Sequence, residues 1–202
     1  MKTIISGLFF ALALCPALAH AGDKGATSAP RARAPAGTND EKWTDARLIT
    51  LLHHVNQEEI AAGKLAQEKG SSQEIKDYGR KLVTDHTRSD QDVLAAATKV
   101  GIKPNDSELS VNDKEMMRID KKKLEQLRRL SGSEFGMAFA QEMSRDHDHM
   151  ISMLRDAKKQ VSAPMRELID STIPVLQEHK DLADKAARSD RNQARTPKPL
   201  KR

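Results

Sequence analysis

Four titratable residues stand where an apolar side chain is expected. Glu59, His86, His147 and His179 each interrupt a series of apolar residues repeating at helical intervals of three and four. Leu52, Val55, Ala62 and Leu65 bracket Glu59, and Gly79, Leu82, Val93 and Ala97 bracket His86. Phe139, Met143, Met150 and Leu154 bracket His147, and Ile169, Leu176, Leu182 and Ala186 bracket His179. A polar group facing inward needs a hydrogen-bond partner or a metal. Three imidazoles and one carboxylate suit a single zinc, iron, manganese or copper ion. They also suit a hydrogen-bonded layer that sets helix register.

Each histidine follows an acid: Asp85-His86, Asp146-His147 and Glu178-His179. Helix neighbours point about 100° apart, so each acid is placed to bond a histidine on an adjacent helix rather than its own, or simply to flank the core. His53 and His54 are consecutive, so at most one faces inward, and His54 is the one able to join the layer. A di-iron centre needs carboxylates in Glu-x-x-His pairs. Val83, Ser144 and Leu176 stand three residues before the histidines, which disfavours di-iron oxidase chemistry. No Gly-rich phosphate loop, nucleophile elbow or H-E-x-x-H occurs, so no catalytic residue is assigned, and the enzyme question stays open with a non-catalytic reading favoured.

The elements that carry these residues are helices. Aromatic content is only 3%, while charged residues make up 31%, which favours helix over sheet. Thr38-Asn-Asp-Glu41 reads as a capping box opening a helix that stops at Gly70. Ser71-Ser-Gln-Glu74 opens a second helix, ending near Gly101, and Ser131-Gly-Ser-Glu134 a third, running to about Gln160. Ser162-Ala-Pro164 starts a fourth, to about Arg188, with a kink expected at Pro174. Between the second and third helices, 102–130 is a longer crossover with helical potential over 114–130. The expected architecture is all-α: a four-helix bundle of ferritin-like type over 38–188, two hairpins joined by the crossover. At ~1.5 Å rise per residue, Glu59 and His86 lie roughly 18 and 21 Å from the first hairpin loop, and His147 and His179 roughly 22 and 25 Å from the second. All four therefore fall near mid-bundle, whichever ends the loops occupy.

The flanks indicate export. Lys2, an apolar run from Ile4 to about Leu14 and Ala19-His20-Ala21 have the order of a secretory leader over 1–21. The only cysteine, Cys15, lies inside it, which leaves no thiolate chemistry downstream. Residues 22–37 read as an Ala/Pro/Gly spacer. The end, SDRNQARTPKPLKR over 189–202, reads as a disordered basic tail able to touch an anionic envelope surface weakly. Aromatic platforms for nucleic acid are missing, and no transmembrane helix is expected after the leader.

The stretches VNQEEIAAGKLAQEKG, GRKLVTDHTRSDQDVL, FGMAFAQEMSRDHDHMISM and IPVLQEHKDLADKA together resemble a bacterial family of exported ferritin-like domains of unknown function. Its members are described as outer-membrane or exported proteins. The resemblance covers about 42–187 and implies family positions at Glu59, Asp85, His86, His147, Pro174, Leu176 and His179. Where that family often carries Asp and Tyr on its third helix, this chain has Gly136 and Phe139. The resemblance implies a fold and export, and no activity. The sequence therefore reads as an exported binding or stress-related envelope protein with a structural Glu/His layer. The alternative is a mono-metal protein for storage, sensing or weak redox chemistry.

Overall fold

The computed structural model describes residues 42–195. The leader, the spacer, the Thr38–Glu41 capping box and 196–202 lie outside the described residues. Within them the chain is all-α, with five helices, one short 3-10 turn at Asp106–Glu108 and no strand beyond an isolated Gly70–Gly132 bridge. The helices are α1 (Asp45–Lys69), α2 (Gln73–Lys99), α3 (Val111–Leu127), α4 (Gly132–Ala157) and α5 (Ala163–Arg195). No described helix is long and apolar enough to cross a membrane.

The starts of the helices differ in detail from the sequence expectation. The cap of α1 is Thr44, whose Oγ1 accepts from the Arg47 amide at 3.1 Å. The preceding Trp43 is buried and donates its amide to Gln160 Oε1, which ties the chain down before the helix begins. Ser72, not Ser71, caps α2. Ser131 stands at the N-cap of α4 without a side-chain cap bond, so the expected box there does not form. The reciprocal box occurs instead at Ser110 and Asp113, opening α3.

The ends differ too. α5 passes through Pro174 and on to Arg195, overriding the expected end at Arg188 and the tail expected from 189. The reason is packing. Ala183, Ala186, Ala187 and Asp190 extend the buried stripe at helical spacing past Arg188 and into the start of the basic segment.

α1 packs most extensively on α2, and α4 on α5; α2 then meets α5, and α1 meets α4. The α1–α2 contact is close because glycine faces glycine. A Cβ on Gly79 would come within 2.6 Å of the Gly63 carbonyl oxygen. α3 lies against α1 and α4 with far less contact. Its anchor is a buried bidentate ion pair, Arg47 Nε to Asp113 Oδ2 at 2.6 Å and Arg47 Nη2 to Asp113 Oδ1 at 2.8 Å.

The core is divided. One apolar cluster gathers Leu48, Leu52, Val93, Leu154, Met165 and Leu176. A second gathers Leu65, Ile75, Leu82, Phe135, Phe139 and Ala183. Along α1, α2, α4 and α5 alike, the chain crosses from one cluster to the other through buried polar residues: Asn56 and Glu59, His86 and Asp90, His147, and His179.

Candidate metal centre

His86, His147 and His179 come from α2, α4 and α5 and are 4%, 2% and 0% exposed. One ring nitrogen from each lies within 4.8 Å of those of the other two. Their rings pack with centroids 5.7 Å (His86–His147), 5.2 Å (His86–His179) and 5.2 Å (His147–His179) apart.

The hydrogen bonds around the group assign the protons. His147 Nδ1 lies 2.7 Å from the Met143 carbonyl oxygen, an obligate acceptor, so Nδ1 donates. His86 Nδ1 faces Asn56 Oδ1 at 2.9 Å and donates likewise. His179 Nε2 faces Asp85 Oδ2 at 2.8 Å and donates to that carboxylate. Each ring thus sends its N–H outward to an oxygen. A neutral imidazole has one N–H and one lone pair, which leaves the lone pairs on His86 Nε2, His147 Nε2 and His179 Nδ1. His147 Nε2 and His179 Nδ1 face each other at 3.2 Å, and His86 Nε2 is buried without a hydrogen-bond partner.

The rings are neutral near physiological pH. Burial pushes His147 down to about 3, with His179 adding repulsion. Burial holds His86 well below the ordinary histidine range, reinforced by His147 and His179. Burial also lowers His179, although the Asp85 carboxylate works against it. Neutral imidazoles with lone pairs converging and N–H groups tied to oxygens are in the state a metal ligand requires.

Glu59 does not enter the group within 4.8 Å. It is 9% exposed, its Oε2 has no hydrogen-bond partner, and it borders a cavity of about 930 Å³ lying between α1, α3 and α4. His86 and His147 border the same cavity, as do Glu58, Asp120, Lys123, Glu142 and Asp146. Burial, then repulsion from Asp146 and Asp120, pushes Glu59 up to about 8. Burial and Asp120 push Glu58 up to about 7. Burial lifts Asp146 to about 6 despite Lys123.

Of the acids expected to bond a histidine, only Asp85 does. Asp146 pairs with Lys123 at 2.9 Å, and Glu178 pairs with Lys81 at 3.1 Å. Lys81 also holds Asp85 at 3.0 Å. His54 does not join the layer, because its Nε2 meets Asp106 Oδ1 at 2.7 Å on the 3-10 turn. His53 is likewise engaged, with Asp90. Two functional residues escaped sequence reading. Asn56 sits on the inner face of α1 one turn before Glu59, and its place in the series was a usable signal. Lys123 lies on the charged crossover, where nothing in the periodicity separates it from neighbouring lysines.

Residues 27–186 match the profile of a family described as Domain of unknown function (DUF4142). The chain belongs to that family. The match includes all three histidines and their outward partners. No curated protein and no solved structure matches significantly. In this DUF4142 chain Gly136 and Phe139 of α4 have an aspartate and a tyrosine as neighbours. A Cβ on Gly136 would fall 1.7 Å from Asp190 Oδ2, so the α5 carboxylate fills that space. Tyr78 of α2 packs on Phe139 with centroids 5.9 Å apart, and its ring meets the edge of His179 at 6.4 Å.

Proposed function

We propose that this chain is an exported protein with a ferritin-like four-helix arrangement that binds one first-row transition metal ion through His86 Nε2, His147 Nε2 and His179 Nδ1. The observation that carries the reading is the set of three inward lone pairs, each on a ring whose other nitrogen is tied to Asn56, Met143 or Asp85. Two facing lone pairs at 3.2 Å repel unless a cation lies between them. Nitrogen ligands at about 2.0–2.1 Å around a tetrahedral ion stand roughly 3.4 Å apart. The His147–His179 spacing is already there, and the remaining ligand spread of up to 4.8 Å closes with about an ångström of side-chain movement. Three imidazoles favour zinc, copper, iron or nickel over magnesium or calcium. A three-histidine set leaves a fourth position, and the cavity bordered by His86, His147 and Glu59 is where it opens. The leader-like order of Lys2, the apolar run and Ala19-His20-Ala21 supports export.

A purely structural layer is the competing reading. One added proton on the His147–His179 contact would turn it into a hydrogen bond. That proton would still leave His86 Nε2 buried and unsatisfied, which costs about 1–3 kcal/mol. Elemental analysis of tag-free protein, with Co²⁺ and Zn²⁺ titrations, decides between them. The expected result is one tightly held ion per chain that survives dialysis and a tetrahedral Co²⁺ absorption band, both lost in His147→Ala. No bound metal and no Tm response to Zn²⁺, Co²⁺, Cu²⁺ or Mn²⁺ would overturn the metal reading.

A further inference from the structure

The cavity beneath α3 has a charge pattern the histidine centre does not use. Lys123 Nζ is held at one point by three carboxylates, Asp120 at 3.0 Å, Glu142 at 2.5 Å and Asp146 at 2.9 Å. Those three acids thus already share one ammonium. Glu58 and Glu59 add two more carboxyl groups to the same wall. Glu59 is nine-tenths buried, and its Oε2 faces no donor. An unpartnered buried carboxyl on a cavity wall marks the place of an absent donor or cation.

We propose that this cavity is a second cation position, holding a hydrated divalent ion between Glu58, Glu59, Asp120 and Asp146 as the waiting place for the histidine centre. In serving that centre it rests on the metal reading above, although its own occupancy can be tested alone. These carboxylates form no group close enough to share one bare ion directly, since among the described residues only the histidines do so. Water bridges the difference. A hydrated ion has oxygens at about 2.1 Å, and each hydrogen-bonds outward at about 2.7 Å, so it spans carboxylates several ångströms apart. A volume of about 930 Å³ admits such an ion with its shell. Because His86 and His147 border the same space, the ion can exchange water for imidazole without crossing the apolar core. Lys123 is a resident competitor, a tethered cation occupying part of the field, while Lys121 and Arg145 also border the cavity and Arg145 pairs with Glu142.

Mn²⁺ supplies the direct test, because it broadens the NMR signals of nearby amides. Substoichiometric Mn²⁺ should broaden Glu58, Glu59, Asp120 and Asp146 in the tag-free chain and equally in His147→Ala. The broadening should disappear in the double variant Glu58→Gln/Glu59→Gln. Co²⁺ loading of the histidines, followed by stopped-flow absorbance, should slow about 10-fold in that variant, with an unchanged final spectrum. Lys123→Met should speed loading. Absence of Mn²⁺ broadening, or broadening indifferent to the two glutamines, overturns the cavity site whatever the histidines do. Broadening with no Co²⁺ band at all overturns the histidine centre and leaves the cavity site standing. Loading rates within twofold of wild type in the glutamine variant overturn the waiting-place role.

Discussion

The histidine layer and the cavity beneath α3 adjoin each other and handle buried polarity in opposite ways. The layer is buried and neutral: three rings sit on α2, α4 and α5, each fixed by one oxygen partner. The cavity is charged: Lys123 bridges three carboxylates while Glu58 and Glu59 retain protons past the ordinary carboxyl range. The layer belongs to two extensively packed hairpins, whereas α3 contributes only Asp113 and Leu127 to the buried set. The difference shows how one small core keeps a closely packed set of rings beside a wall that packs lightly. The histidines are carried by long helices with apolar clusters on both sides, and the cavity is covered by the lightly packed α3.

The sharpest way to break the contrast is to cut the anchor of α3. Asp113→Ala takes the bidentate carboxylate from buried Arg47, which keeps Ser110 Oγ and the Trp43 ring, and should cost about 3 kcal/mol in denaturant unfolding. Hydrogen exchange in the same variant should accelerate in α3 first and leave α2, α4 and α5 protected. Equal acceleration in all helices would mean that layer and cavity are one cooperative unit.

Next in size is the effect of the outer partners on the rings. Asp85→Asn keeps all three ligands but weakens the acceptor that fixes His179, so Zn²⁺ affinity should fall about 10–100-fold by competition titration. Asp146→Asn, whose carboxylate bonds Lys123 rather than a histidine, should leave equilibrium Zn²⁺ affinity nearly unchanged. Equal losses in the two variants would erase the distinction between ring partner and cavity wall.

The smallest effect is in pH. In metal-free protein, His147 is held down at about 3 against an ordinary 6.5, so the folded state binds fewer protons there than the unfolded chain. That contribution to stability is full above 6.5 and is lost as pH falls toward 3. Glu59 has the opposite sign. Raised from 4.5 to about 8, it keeps a proton in the folded state that the unfolded chain releases, so its burial costs more stability as pH climbs between those values. Glu59→Gln should therefore raise Tm relative to wild type progressively from about pH 5 to pH 8. A constant difference across that range would show that Glu59 is not buried beside its acidic neighbours.

Much of this was legible in the sequence. Apolar spacing of three and four, interrupted at the histidines, located His86, His147 and His179 on inner faces and at matching heights. It located Glu59 inward as well, and in the folded chain Glu59 turns to the cavity while the rings turn to one another. Helix ends were less legible. Ser131 has the right type for a cap and makes no cap bond, and the basic composition after Ser189 concealed a helix that continues to Arg195 with Asp190 still buried.

The sequence by itself determined which helices form over most of their length, which faces they bury and which titratable residues travel inward with them. Those properties depend on local periodicity, which sets height along a helix axis and angle around it. Only the tertiary structure decided which nitrogen of each histidine points inward, that Asp85, Asn56 and the Met143 carbonyl hold the rings, and that Lys123 reaches across from α3. These depend on the rotation of one helix against another and on side-chain rotamers. Neither is written in the period of a single helix, because both are set by packing between residues far apart in the chain.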